Sequence, residues 1–395
     1  MVSDALARNV ALMTLLVGSV ACSEGSAAEP RPSASVSSAA ETPAERPKTD
    51  ATATPAAIAP KPAQAAKAGP RPAIAIDPIA PADPLRPLSA SEQTRLAAGA
   101  QDEPIPVEIH YIQSNETRHD LFFPYLEQLG GAFVGVGSDQ SFTMAAAAEA
   151  ELLLMIDIDH RVVDLHQIYA VLIPEAKSPQ ALVDAFEGDA QESVLARLEE
   201  AFAERTPSER RRLLQGYRAS RETVLRHLQR VIDRSVDGRP ASWLSNRAMF
   251  EHIQTLYRSC RVRVMPGNLV GDASMQTIAA VTRDLDIPVR ALYLSNAEEY
   301  FRYTKQFVAN IEALPFDDRS VVLRTIYAKT WEHADLWAYQ VQPATDFVQR
   351  LGDRSTATTR KVMLRYADRD GAIDYTPGPK GLSLLSMPLA LSDDE

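Results

Sequence analysis

The residues best equipped for chemistry stand in a few short clusters. The run "SNETRHD" (114–120) sets Asn115, Glu116, Arg118, His119 and Asp120 ahead of an apolar stretch containing Leu121, Phe122, Tyr125 and Leu129. Two readings of it stand side by side. In one, Ser114 or Asn115 caps the helix that follows, and Glu116 and Asp120 favour its positive end. In the other, Arg118 or His119 reaches a ligand crevice, to hold an anion or to move a proton. His119, Asp120, Asp157, Asp159, His160 and His166 also offer nitrogen and oxygen ligands for a metal, but no HExxH, HxxEH or CxxC spacing is present. A nucleophile elbow of the form G-x-S-x-G is absent too, and Cys260 stands before an apolar strand, where an inert core thiol is expected.

Elements must carry these residues, and the hydrophobic pattern supplies them. "AFVGVG" (132–137) is a short apolar run that ends in glycines, "FTMAAAAEAE" (142–151) is strongly helix-forming, and "LLLMIDID" (152–159) is a second buried strand. A later unit repeats the alternation. Met249, Phe250, Ile253, Leu256 and Tyr257 form one helical face over 248–259, followed by strand 261–265, loop 266–272, helix 273–285 and a strand from 289 that runs into a loop. The runs 320–328 and 336–343, then "KVMLRYA" and "LSLLSMP", read as further strands. Strands and helices in alternation predict an α/β fold with a doubly wound, mostly parallel sheet.

Residues 175–240 break the alternation with two or three amphipathic helices. Arg210, Arg211, Arg212, Arg218, Arg221, Arg226, Arg230 and Arg234 fall there, and they read as a solvated face paired with nearby acids. Helix 248–259 can serve as the crossover into strand 261–265, so the extra helices are expected to leave from the carboxyl end of strand 152–159. That is the ligand edge of an open parallel sheet, which makes the insert a cap.

With a glycine turn after the first strand, acids after the second, a polar loop after the third and "YLSNAEEYF" after the fourth, the chain resembles the class I S-adenosylmethionine-dependent methyltransferase fold over roughly 130–330, the insert excluded. Segment 108–330 also resembles a group of uncharacterised bacterial lipoproteins. The methyltransferase resemblance implies S-adenosylmethionine as cofactor. Gly135 and Gly137 would let backbone approach it, Asp157 or Asp159 would accept from its ribose, and Asn268 and Asp272 would lie beside the base. Ser295 and Asn296 would face the reacting group, with Asn296, Arg118 or His119 acting on the acceptor. The pattern departs from that fold at two places in the loop: Phe133 replaces the usual acid, and Asp139 replaces a third glycine, adding a negative charge beside the cofactor.

The N-terminus carries an address. "VALMTLLVGSVAC" is an apolar run too short to span a bilayer and suited to a signal-peptide core, so residues 1–22 are expected to direct export. Cys22 resembles the lipidated cysteine of a bacterial lipoprotein; cleavage after Ala21, giving a secreted soluble protein, is the alternative. Thirteen of the 27 prolines fall between Pro30 and Pro87, so residues 23–100 read as a disordered tether, and 103–395 as the folded domain. Eight basic and eight acidic residues cancel within that tether, which places the net charge of −11 on the domain and argues against nucleic acid as a partner. A membrane would be met through the lipid anchor alone. Three functions follow: an anchored module that binds a small polar ligand or an envelope partner, a methyltransferase, or a metal-assisted hydrolase.

Overall fold

The computed structural model describes residues 83–375 and 378–386. The expectations for residues 1–22, for Cys22 and for most of the tether lie outside the described residues. The chain is an α/β fold built on one eight-stranded, mostly parallel sheet. Strands β1 (Ala132–Val136) and β2 (Leu152–Asp157) are buried along almost their whole length, as expected of strands covered on both faces. Side chains along them alternate between two cores. Phe133, Leu153 and Met155 enter one, whereas Ala132, Val134, Leu152 and Leu154 enter the other.

The first core is closed by α3 (Gln140–Ala147), α4 (His160–Leu172) and α8 (Arg247–Arg258), which contribute Phe142, Ile168 and Phe250. The second is closed by α9 (Ser274–Asp284), α10 (Lys305–Ala313), α11 (Ala344–Gly352) and α12 (Arg360–Arg369), through Ile278, Phe307, Phe347 and Met363. Helix α12 contains "KVMLRYA", for which a strand was expected. Thr359 accepts from the Val362 N–H as its N-cap, and Met363, Leu364 and Ala367 bury one helical stripe.

Strands β5 (Val262–Pro266), β2, β1, β6 (Val289–Ser295) and β7 (Val321–Ile326) lie side by side in that order, all parallel. Beyond β7 come β8 (Ala338–Pro343), antiparallel to it, then β10 (Leu382–Leu385) and the two-residue β9 (Ile373–Asp374). The chain runs outward from β1 through β2 to β5, then returns to begin again at β6 on the other side of β1. Connections therefore diverge between β1 and β6, and a crevice is expected outside their carboxyl ends.

The insert comprises α5 (Pro179–Asp184), α6 (Gln191–Ala201), the 26-residue α7 (Pro207–Ile232) and a small hairpin of β3 (Ser235–Val236) and β4 (Arg239–Pro240). It does not leave from the carboxyl end of β2. Helix α4 follows β2 directly and packs on β2 and β5, so the insert starts from the far end of α4. It comes back to the carboxyl edge through the last turns of α7.

Residues 83–100, counted with the tether, are folded. Helix α1 (Ala90–Ala97) carries a complete capping box at Ser89 and Glu92, and Leu88 and Leu96 are buried in the second core. Arg263 of β5 donates to the carbonyls of Leu96 and Ala98, so this segment covers the edge of the sheet. Cys260, expected in the core, is exposed and takes a left-handed backbone with φ 57°. No helix among the described residues is long and apolar enough to cross a membrane.

Candidate functional site

The carboxyl edge of the sheet is crossed from end to end by the chain's own residues 102–118. Asp102 accepts from the backbone N–H groups of Asn268, Ala273 and Ser274 in the loop after β5. The Ile105 N–H donates to the Ile158 carbonyl after β2, and His110 Nδ1 lies 2.8 Å from Asp159. Glu116 reaches β6 and β7, Thr117 donates to Asp335 between β7 and β8, and the Arg118 N–H donates to the Tyr339 hydroxyl on β8. This arm follows the strand order across six strands, a span of roughly 24 Å at the usual inter-strand spacing.

Glu116 is the most heavily bonded group of the arm. It is 2% exposed and accepts from Ser295 Oγ at 2.5 Å, Thr325 Oγ1 at 2.7 Å, His119 Nε2 at 3.1 Å and the Tyr293 hydroxyl. Burial alone would raise its pKa, but His119, Ser295 and Tyr293 outweigh burial and hold the carboxyl below its ordinary range. Ser295 adopts φ 50°, rare for a residue with a side chain, so strain sits at the end of β6 where this bond is made. His119 is buried, its Nε2 spent on Glu116 and its Nδ1 without a partner, while Arg118 forms a two-point pair with Asp120 at 2.9 Å. Neither Ser114 nor Asn115 caps the short helix that follows: Ser114 receives the Glu116 N–H, and Asn115 receives Trp337 Nε1.

The glycine loop is explained by its own packing. A Cβ on Gly135 would lie 2.7 Å from Ser141 Oγ and 2.8 Å from Phe133, so α3 packs where a larger residue cannot fit. Gly137 turns with φ 90°, and a Cβ there would lie 2.5 Å from Gln140 Nε2. His166 Nε2 approaches the Gly137 carbonyl at 2.9 Å from beneath.

Asp139 faces the insert and not the crevice, which corrects its expected place beside a cofactor. The residue is 1% exposed, and its two oxygens accept from His227 Nε2 at 2.7 Å and Trp243 Nε1 at 3.1 Å. Burial pushes its pKa up, but His227, Trp243 and Arg234 prevail and hold it down to about 2. Asp157, at the end of β2, is pushed the other way, up to about 7, by burial and the nearby Asp159, against hydrogen bonds from the backbone of Asp159, Gly137 and Ile158. Asp159 caps α4 through the Arg161 N–H and also meets His110. Asn268 turns its Oδ1 to the Val270 N–H, Asp272 is exposed, and Asn296 Nδ2 donates to the Tyr300 hydroxyl at 3.4 Å. Gly135, Gly137, Asp157 and Asp159 are thus neighbours at the ends of β1 and β2. Asn296, Arg118 and His119 belong to the β6–β8 side.

These residues do not fit S-adenosylmethionine. Space beside Gly135 is filled by Ser141, Asp157 is engaged by backbone N–H groups of its own chain, and Asp102 occupies the loop expected to hold the base. Among the described residues, no three His, Cys, Asp or Glu side chains converge so as to hold a metal ion.

An opening remains between the arm and the last turns of α7. It is a cleft of about 450 Å³ lined by Ser114, Asn115, Thr117, His227, Arg230 and Arg234, among others. Arg234 is half-buried, and burial depresses its pKa against the pull of Asp139, Tyr339 and Asp335. The expectation of a paired, solvated arginine face holds for Arg212, which meets Asp164 at 2.9 Å, but Arg230 finds only the Gln113 amide oxygen, at 3.1 Å. Arg230, Arg234 and His227 escape sequence reasoning as site residues because a run of basic residues on a helix does not say which of them folds inward. For Asp102 and His110, no local signal exists at all.

A family model described as Domain of unknown function (DUF7790) matches residues 111–386, and the chain belongs to that family. Comparison with curated proteins gave no match. Among solved structures, the chain is similar to the rRNA methyltransferase aviRa from Streptomyces viridochromogenes, with 11% identity over 63% of this chain and 86% of that one and a TM-score of 0.24.

Proposed function

We propose, from membership of a family without an assigned function, that this chain is a binding module for a small polar ligand, held at the bacterial envelope by lipid on Cys22. The observation that carries the reading is the arm. Carboxylates of the chain itself, Asp102 and Glu116, take the donors that line the ends of β5, β6 and β7, and the usual crevice is thereby filled. Ligand access is left to the polar cleft beside α7, whose volume of about 450 Å³ suits a small molecule. Use of a Rossmann-like sheet for binding without group transfer agrees with the general independence of fold and function.

Thermal melting of the full chain against a panel of small polar compounds, S-adenosylmethionine included, tests the reading. At least one polar compound should raise the melting temperature, and S-adenosylmethionine should leave it unchanged. Micromolar binding of S-adenosylmethionine that disappears in Gly137→Ala, or methyl transfer to any acceptor, would overturn it in favour of an enzyme. For the anchor, the expected result is globomycin-sensitive processing that is lost in Cys22→Ala; processing indifferent to both would remove the envelope attachment.

A further inference from the structure

We propose that the cleft between the arm and the last turns of α7 binds the phosphate group of a small organic molecule, with Arg230 and Arg234 as its cationic wall. This rests on the ligand-module reading and names the chemical class of the ligand. Elsewhere in the fold, a guanidinium withdrawn from water is given a carboxylate. Arg324 meets Glu298 at 2.8 Å, and Arg360 meets Glu299 at 2.5 Å. Arg234 is the departure: it is half-buried, and among the described residues no hydrogen bond or ion pair to its guanidinium is formed. A partly desolvated charge without a counter-ion is costly, and an anion in the cleft would supply the missing partner.

The surroundings suit an oxyanion. Arg230 spends only one bond, on a neutral amide, and guanidinium forks match phosphate oxygens in pairs. Ser114 Oγ accepts from the Glu116 N–H, which leaves its own hydrogen to donate. Asn115 uses its Oδ1 on Trp337, so its amide hydrogens are available. Asp233, exposed at the C-cap of α7, is the single carboxylate of the lining against the two arginines. Basic residues in the last turn of a helix complement its dipole, which explains their placement but not the missing acid.

Isothermal titration of the full chain with glycerol phosphate, inorganic phosphate and glycerol tests the site. Glycerol phosphate should bind, inorganic phosphate more weakly, and glycerol not at all. Arg234→Gln should weaken glycerol phosphate roughly tenfold, the loss expected for one charge-assisted contact. Its ligand-free form should melt no lower than the parent, because an uncompensated charge has gone. Should that variant fail to fold, the exposed Arg230→Gln is the substitute and should weaken binding severalfold. Absence of binding by both phosphates, or binding indifferent to the two substitutions, would overturn the proposal. If a neutral polar compound stabilises the chain while phosphates do not, the phosphate class falls and the module stands; if no compound of any class binds, both fall.

Discussion

Glu116 and Thr325 are 209 residues apart in sequence, yet the Thr325 hydroxyl donates to the Glu116 carboxylate at 2.7 Å in a buried site. With Ser295, this contact fastens the N-terminal arm across the ends of two central strands. The carboxylate is therefore a structural anchor, and its charge is the part that can be titrated.

Glu116 has a folded-state pKa below the ordinary carboxylate value, so it contributes stability above that value, and the contribution is lost as pH falls through the depressed one. Glu116→Gln should lower stability by about 2 kcal/mol at neutral pH, the scale of a buried charged hydrogen-bond network losing its charge. Melting curves across the acid range should show the variant and parent converging. A variant as stable as the parent at neutral pH would mean the arm is held elsewhere.

Asp157 predicts the opposite slope. Its pKa rises from 3.8 to about 7 on folding, so the folded chain keeps a proton that the unfolded chain loses, and stability declines as pH rises through that window. Asp157→Asn should match the parent near the lower limit and exceed it increasingly up to about pH 7. Denaturant titrations at several pH values provide the check. No pH-dependent gap would mean that the carboxylate is fully solvated.

Gly135→Ala should destabilise the ligand-free chain by about 1–3 kcal/mol, the usual cost of overpacking a tight core. The added Cβ meets Ser141 and Phe133 at 2.7 and 2.8 Å. Chemical denaturation without any ligand reads this directly. If the variant folds with unchanged stability, the glycine is present for something other than packing.

Asp102→Ala should loosen the arm from the loop after β5, because three backbone N–H groups lose their acceptor. Loss of such a capping carboxylate costs about 1 kcal/mol. Limited proteolysis should then cut within residues 101–118 faster than in the parent, with the α/β body left intact. Unchanged cleavage rates would show that the other contacts hold the arm alone.

Local pattern carried the sheet. Continuous apolar runs at 132–136, 152–157, 289–295 and 321–326 could be buried only as covered strands, and the helical stripe over 247–258 leads straight into the next one. Where a run was short, the pattern was ambiguous: "KVMLRYA" suits a strand by composition, and burial of Met363, Leu364 and Ala367 on one side made it a helix. Glycines at 135 and 137 were visible as a turn, but their cause was not, since Ser141 and Gln140 decide it through space.

From the amino-acid sequence alone follow the α/β class, the strands at the centre of the sheet and the position of an insert, because each depends on hydrophobic periodicity within a dozen residues. Tertiary structure alone decided which polar groups face a ligand. Asp139 turned inward to His227 and Trp243, Asp102 and Glu116 closed the crevice, and Arg234 came to rest half-buried beside an open cleft. Those outcomes depend on partners tens to hundreds of residues away. A carboxylate or guanidinium in a sequence carries no sign of whether its counter-charge will come from its own chain or from a ligand.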